Sequence, residues 1–181
     1  QRNAYHRFTV DRHLWEATAN ASDLADRVSR PDLLVLGALF HDIGKGYPGD
    51  HNDVGVELVG RIAPRLGISH DDMVVLQTMV QHHLLLPDVA TRRDLSDPAT
   101  IDFVIERVGT PLVLDLLHGL TEADSLATGP AAWGPWKAGL VNELVGRTHQ
   151  VLSGTAPDRS EWRLFPDADV LEMMARGVVT F

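Results

Sequence analysis

The chain has 181 residues, the size of one ordinary domain, and can bury a core without disulfides or a structural metal. Its 16 Lys and Arg residues against 25 Asp and Glu residues leave a formal net charge of −9, which argues against nucleic acid or an anionic membrane as a partner. Because cysteine is absent, a transition metal would need histidine and carboxylate ligands. No apolar run approaches the ~20 residues of a membrane span, so we expect a soluble, cytoplasmic protein.

Apolar residues recur at three- and four-residue steps along most of the chain, which predicts helices. The first covers residues 10–28, and a denser apolar run at 33–40 predicts a helix buried on most sides. Asn52 or Asp53 caps the next, which Gly67 closes, and Ser69 starts another. Asp97 followed by proline opens a helix to residue 108, Pro111 opens a further one, and residues 133–152 form the last. Strand-like alternation is almost absent, so the prediction is an all-α bundle of about seven to eight helices.

Composition changes after Gly154, where residues 155–169 are rich in Pro, Asp and Arg. We therefore expect one domain over residues 1–154 and a linker or tail over 155–181 that leads to a further domain. The amino terminus has no signal-peptide character and does not begin with Met, so the chain is interpreted as an internal piece of a longer protein.

Polar residues interrupt several apolar helix faces. His13 shares a face with Val10 and Leu14, although a single histidine on such a face is more often a hydrogen-bonded core residue than a metal ligand. Asp124 falls in the stripe of Leu117 and Leu120, and a carboxylate there needs a metal or a buried cation.

Two further histidines stand at the ends of apolar segments. His41 and Asp42 follow the buried helix, where side chains spread, and His83 follows the apolar face that ends at Val80. Together with His13, His51 and Asp124, these residues are nitrogen and oxygen ligands that separate helices could bring to one place in a bundle.

Four segments carry a family resemblance: YHRFTVDRH (5–13), LFHDIGKGYPGDH (39–51), HHLLL with RRDLSDP (82–98), and LTEADSLATGPAAWGPWKAGLVNEL (120–144). Their order and spacing resemble the HD-domain metal-dependent phosphohydrolase superfamily. Within it, they are closest to the uridylyl-removing HD domain of bifunctional uridylyltransferase/uridylyl-removing enzymes, which act on the nitrogen-regulatory PII protein. The resemblance covers roughly residues 1–152.

The resemblance implies a set of metal ligands. His13, His41, Asp42 and Asp124 match the superfamily's core metal positions, and the extra histidines for a second metal match His51 and His83. His82 is the alternative to His83 in the doublet, although counting back from the arginine segment favours His83. The implied cofactor is one or two divalent ions, Mn²⁺ or Mg²⁺, with Fe²⁺ and Zn²⁺ as alternatives.

The charges favour two ions, because the +4 of two divalent metals exceeds the −2 of Asp42 and Asp124 and leaves charge for a hydroxide and a phosphodiester. In such a site a metal-bound hydroxide attacks phosphorus in line, and Asp42 is the natural bridging ligand beside the catalytic His41. Lys45 is a candidate for catalysis and phosphate binding, although a solvated loop lysine is equally consistent with its spacing. Arg92 and Arg93, with His82, are candidates for binding substrate, although one of two adjacent arginines is expected to be structural.

The function implied by the resemblance is removal of UMP from a uridylylated tyrosine of PII. The nucleotidyltransferase and glutamine-sensing domains expected in such enzymes would lie outside this sequence. Two alternatives stay open: another HD-type nucleotide phosphohydrolase, and a low-activity regulatory domain that binds PII. Trp133 and Trp136 are predicted to be core residues rather than base-stacking ones, and Gly44, Gly46 and Gly49 to be loop hinges.

Overall fold

In a computed structural model, residues 9–155 are described, and this part of the chain contains eight α-helices and no strand. The helices follow one another as α1 (Val10–Asp23), α2 (Pro31–Phe40), α3 (His51–Ile62), α4 (His70–His82), α5 (Leu85–Arg92), α6 (Pro98–Val108), α7 (Pro111–Thr128) and α8 (Pro135–Leu152). The predicted all-α bundle is confirmed.

Most predicted helix starts agree with the capping hydrogen bonds. The Ser69 hydroxyl accepts from the Asp72 amide at the start of α4, and the Asp97 carboxylate accepts from the Ala99 amide at the start of α6. The start of α3 differs, because Asp50 rather than Asn52 or Asp53 is its cap. The helix consequently begins at His51, directly after this cap and two to three residues earlier than predicted, which brings this histidine into the first turn.

Two other expectations were wrong. Helix α1 ends at Asp23 rather than at residue 28, because a 3₁₀ turn over Ala25–Arg27 follows it while Leu24 still reaches the core. Trp136 is 71% exposed at the start of α8, whereas Trp133 is half-buried against the core as predicted. The short helix α5 was not predicted at all, since its eight residues offer only about two turns of periodicity.

Helix α7 packs against α1, α2, α4 and α8, and α3 packs against α4. Small residues allow close approach at two points: a Cβ on Gly119 would lie 3.1 Å from a methyl group of Leu34, and one on Gly37 would collide with the side chain of Met79. Side chains from α1, from the ends of α2 and α4, from the first turn of α3 and from the C-terminal part of α7 lie close together.

Among residues 9–155, no helix combines the length and the apolar character needed to cross a membrane. Residues 156–181 lie outside the described part of the chain, so the division into a domain and a tail stays a prediction. The same holds for residues 5–8 of the first sequence motif.

Candidate metal centre

Six side chains that the sequence analysis selected as metal ligands converge at one end of the bundle. Four of them are almost fully buried: His13, His41, Asp42 and His83 are each 3% exposed or less. Burial of so many ionisable groups is costly unless charges and hydrogen bonds compensate for one another.

The six side chains form two groups of three, and within each group the ligand atoms lie within 4.8 Å of one another. The first group consists of His13 from α1, His41 from the end of α2, and Asp124 from α7. In it, His13 Nε2 lies 2.9 Å from Asp124 Oδ1 and 3.2 Å from His41 Nε2. The second group consists of Asp42, His51 and His83.

Asp42 lies between the two groups. Its Oδ2 is 3.4 Å from His41 Nε2 and 3.6 Å from His13 Nε2, whereas its Oδ1 is 3.5 Å from His83 Nε2 and 4.0 Å from His51 Nε2. Each carboxylate oxygen thus faces a different group. This is the position expected of a bridging ligand, and that Asp42 bridges two ions stays a prediction.

Backbone carbonyls orient two of the imidazoles. His41 Nδ1 donates to the Ala38 carbonyl and His83 Nδ1 to the Val80 carbonyl, both at 2.8 Å. Because a carbonyl only accepts, each Nδ1 must carry a proton, and when the ring is neutral its Nε2 offers a lone pair to the cluster. This is the tautomer that a metal ligand requires.

The donor set fits a divalent metal. Asp42 Oδ1 and His51 Nε2 are buried and have no hydrogen-bond partner within the described residues. These two atoms face each other across 4.0 Å, a separation that an ion between them would satisfy and a direct hydrogen bond does not. Imidazole nitrogens with carboxylate oxygens suit Mn²⁺, Fe²⁺ and Zn²⁺ better than Mg²⁺, which prefers oxygen alone.

The protein's own charges hold the carboxylates ionised. Burial raises the pKa of Asp124, but hydrogen bonds and charge from His13 and His41 outweigh it, and the pKa lies well below its usual range. Burial likewise opposes ionisation of Asp42, and His41, His83 and Lys45 together lower its pKa.

The pKa values of two imidazoles shift in opposite directions. Burial alone would lower the pKa of His41, but hydrogen bonds and charge from Asp124 and Asp42 raise it to about 10. A metal ion bound at Nε2 would take the place of that proton. Burial and the charge of His41 lower the pKa of His83 to about 4, which keeps this imidazole neutral and ready to ligate.

The backbone brings the second group together where two segments touch. A Cβ on Gly44 would overlap the carbonyl oxygen of His51 and lie 2.7 Å from the amide nitrogen of Gly55. Glycine at position 44 therefore allows the turn after Asp42 to lie directly against the first turn of α3. It is a close-approach residue rather than the hinge predicted, while Gly46 and Gly49 adopt positive φ angles in the following turn.

A cavity of about 370 Å³ opens from the cluster to solvent. Asp42, His51, His83 and Asp124 line it, together with two lysines, Lys45 and Lys137. Lys45 donates to Asp42 Oδ2.

Sequence reasoning did not select Lys137. Its Nζ donates to the Ala132 carbonyl at 3.0 Å and lies 3.5 Å from Ser125 Oγ, one residue after Asp124. Lys137 lies within the fourth sequence motif, but only the packing of α8 on α7 brings it to the cavity.

The histidine doublet divides between two cavities. His83 is one of the six candidate metal ligands, whereas His82 lines a second cavity with Arg92 and Arg93. Burial, reinforced by the charge of Arg107, lowers the pKa of His82. The prediction that His82, Arg92 and Arg93 bind substrate is not tested by this placement, but the structure sets them apart from the cluster.

Comparison with known proteins agrees with this geometry. The protein-family model for the HD domain matches residues 10–128. The bifunctional uridylyltransferase/uridylyl-removing enzyme of Streptomyces coelicolor is 54% identical over 161 residues, covering 89% of this chain and 19% of that protein. The enzyme of the same name from Mycobacterium tuberculosis strain H37Rv is 53% identical over 161 residues, or 88% of this chain and 20% of that protein.

A third enzyme of that name, from Ectopseudomonas mendocina, is 35% identical over 195 residues, which covers 98% of this chain and 22% of the enzyme. The chain thus spans about a fifth of the length of the curated relatives it matches. The family match and the histidine and aspartate cluster lead to one conclusion: the chain belongs to the HD domain family of metal-dependent phosphohydrolases.

Proposed function

We propose that the chain hydrolyses a phosphodiester, removing UMP from a uridylylated tyrosine of the PII signal protein. The observation that carries this proposal is Asp42, whose two carboxylate oxygens face two groups of candidate metal ligands and which lines a cavity together with two lysines. The names of the relatives support the uridylyl-removing part of the proposal. PII as the protein substrate, and the cytoplasm as the location, follow from the same resemblance.

The chain's residues would hold a divalent metal, and Mn²⁺ is the first candidate because the family resemblance implies it and the two carboxylates suit it; the four histidines also suit Fe²⁺ and Zn²⁺. When bound, such ions lower the pKa of a water molecule towards neutrality and offset the negative charge of a phosphate. His41 and His83 present Nε2 towards the cluster from fixed orientations. Asp42 and Asp124 would supply negative charge to retain such ions.

The lysines of the cavity would bind the phosphate. Lys45 and Lys137 bring positive charge to the cavity wall of an otherwise acidic protein, and each can donate to a non-bridging phosphate oxygen. In the reaction, a water molecule gives one proton to solvent as its oxygen bonds to phosphorus, and the bond from phosphorus to the tyrosine oxygen breaks. UMP leaves with the new oxygen, and the phenolate takes a proton from solvent. A phenol pKa of ~10 makes that leaving group adequate without a dedicated general acid.

The test uses the Mn²⁺-loaded chain with uridylylated PII and with bis(p-nitrophenyl) phosphate. Metal-dependent release of UMP and of p-nitrophenol is expected. Asp42→Asn should abolish both activities, because the amide replaces one of two oxygens that face different groups and removes the negative charge. Asp115→Asn is the matched control, since Asp115 is partly exposed on α7 and, among residues 9–155, its ion pair is with His149 rather than with a candidate metal ligand.

Three results would contradict the proposal. The first is the absence of metal-dependent release, and the second is release that Asp42→Asn does not change. The third is hydrolysis of nucleotides in a substrate panel with no release from PII, which would identify a different HD phosphohydrolase. Tight PII binding by calorimetry without hydrolysis would instead identify a regulatory domain.

A further inference from the structure

A second cavity of about 330 Å³ lies among the end of α4, α5 and α6. Three arginines line it, Arg92, Arg93 and Arg107, together with His82. Asp88 is the one acidic residue among the described residues that line it. Because acidic residues outnumber basic ones by 25 to 16 in the whole chain, this local excess of positive charge runs against the composition.

Two of the arginines are held against one aromatic ring. The guanidinium carbon of Arg93 lies 3.8 Å from the centroid of the Phe103 ring, and that of Arg107 lies 3.4 Å from the same centroid. Arg107 Nη1 also donates to the Phe103 carbonyl at 2.7 Å. These contacts fix the positions of two cations that would otherwise repel each other.

The carboxylates nearby do not neutralise this charge. Asp88 lies 3.6 Å from Arg92, and the exposed Glu106 lies 3.8 Å from Arg107. Within residues 9–155, Arg93 forms no ion pair with a carboxylate, and its guanidinium contacts the Phe103 ring. The cavity therefore has a net positive charge that an anion would balance.

The second cavity is separate from the metal centre. The two cavities share Leu84 and Asp88 on their common rim, and none of the six candidate metal ligands lines the second one. A phosphate bound among the arginines would therefore not be the phosphate that the metal centre cleaves.

We propose that this cavity is an anion site that binds a phosphate-bearing small molecule. Guanidinium groups bind phosphate oxygens through paired hydrogen bonds, and the cavity volume falls in the range of small-ligand pockets. Leu85 and Val89 supply apolar wall beside the arginines, which suits a nucleoside monophosphate better than a bare ion. The ligand could arrive as a free nucleotide or as a distant part of a larger substrate, and the two share the same phosphate chemistry.

The test is an NMR titration of the 181-residue chain, loaded with stoichiometric Zn²⁺ and freed of excess metal. UMP and inorganic phosphate are added separately while the Nε–Hε signals of the arginines are followed. Saturable shifts of the Arg93 and Arg107 signals are expected, with a Kd of about 1 mM or tighter. Arg65 is the matched control, because it is exposed and lines neither cavity. Tighter binding of UMP than of phosphate would assign a nucleotide pocket, and equal affinity would assign a simple phosphate site.

Variants separate this site from the metal centre. Arg107→Gln should raise the Kd for UMP, read from the Arg93 signal, by about tenfold or more, since a charge-assisted hydrogen bond to the phosphate is lost. Arg93→Gln, read at Arg107, is the second variant if the first does not fold. Asp42→Asn should leave the arginine shifts in place, because it alters the other cavity.

Shifts at Arg93 no larger than the linear drift of Arg65 would overturn the proposal, as would shifts that vanish in Asp42→Asn. The titration measures no hydrolysis. A failure of the proposed uridylyl-removing activity would therefore leave this result standing, and a failure here would leave that activity untouched.

Discussion

Replacing Gly44 with alanine would test whether contact between two backbone segments holds the candidate metal centre together. The added methyl group would overlap the His51 carbonyl oxygen and lie 2.7 Å from the Gly55 amide nitrogen. Because both neighbours are backbone atoms, neither can rotate away as a flexible side chain would. The turn that carries Asp42 and the first turn of α3 must therefore separate.

The size of the effect follows from the cost of overpacking. Such insertions typically cost ~1–3 kcal/mol, and in a domain of this size each kcal/mol lowers the melting temperature by about 2–4 °C. The displacement acts on His51, whose Nε2 is already 4.0 Å from Asp42 Oδ1. We therefore expect Gly44→Ala to reduce both the melting temperature and the metal content per chain.

The assay is thermal unfolding with and without Mn²⁺, combined with elemental analysis of the purified chain. Gly146→Ala is the matched control, because Gly146 is exposed within α8 and a Cβ there would meet nothing within 4 Å. It should stabilise the chain by up to ~1 kcal/mol through helix propensity and leave the metal content unchanged. A Gly44→Ala chain with the melting temperature and the metal content of the unsubstituted chain would refute the reasoning.

Three further predictions concern the metal and the cavity. Chelation by EDTA should lower the melting temperature, since a metal ion at 100 times its Kd adds about 2.7 kcal/mol to the free energy of unfolding. An unchanged melting curve would show that no bound metal ion stabilises the fold. His83→Gln should reduce metal per chain by elemental analysis while His82→Gln should not, and the reverse result would mean that the doublet is wrongly assigned. Lys137→Gln should lower kcat/KM for bis(p-nitrophenyl) phosphate by about tenfold without changing metal content, because a charge-assisted hydrogen bond to phosphate is lost; unaltered kinetics would remove Lys137 from the proposed phosphate site.

Much of the fold was predictable because helix boundaries are local. Ser69, Asp97 and Pro111 sit at helix starts as their cap and first-turn preferences require. Failures occurred where local signals compete or run short. Asp50, Asn52 and Asp53 are all suitable N-caps for α3, so the sequence does not single out Asp50, and α5 is too short for its periodicity to be recognised.

The candidate ligands were also accessible from the sequence, for a different reason. A buried ionisable side chain on an apolar face is costly, so its presence at His13 or Asp124 indicates a compensating partner. Lys137 carries no such signal, because a lysine in the first turn of a helix is ordinary on any surface. Arg107 and Phe103 likewise form an unremarkable pair within α6 until α5 is packed beside them.

The sequence by itself determined that the chain is helical, that it belongs with HD-type phosphohydrolases, and which residue types could bind a metal. The helices and the candidate ligands depend on spacing along one chain and on the cost of burying charge, whereas the family follows from the resemblance of four sequence segments. Only the tertiary structure decided that His83 joins the candidate metal ligands while His82 lines the arginine cavity, and that the two oxygens of Asp42 face different groups. Adjacent residues on a helix point about 100° apart, so which one reaches a site is set by how the helices pack against each other.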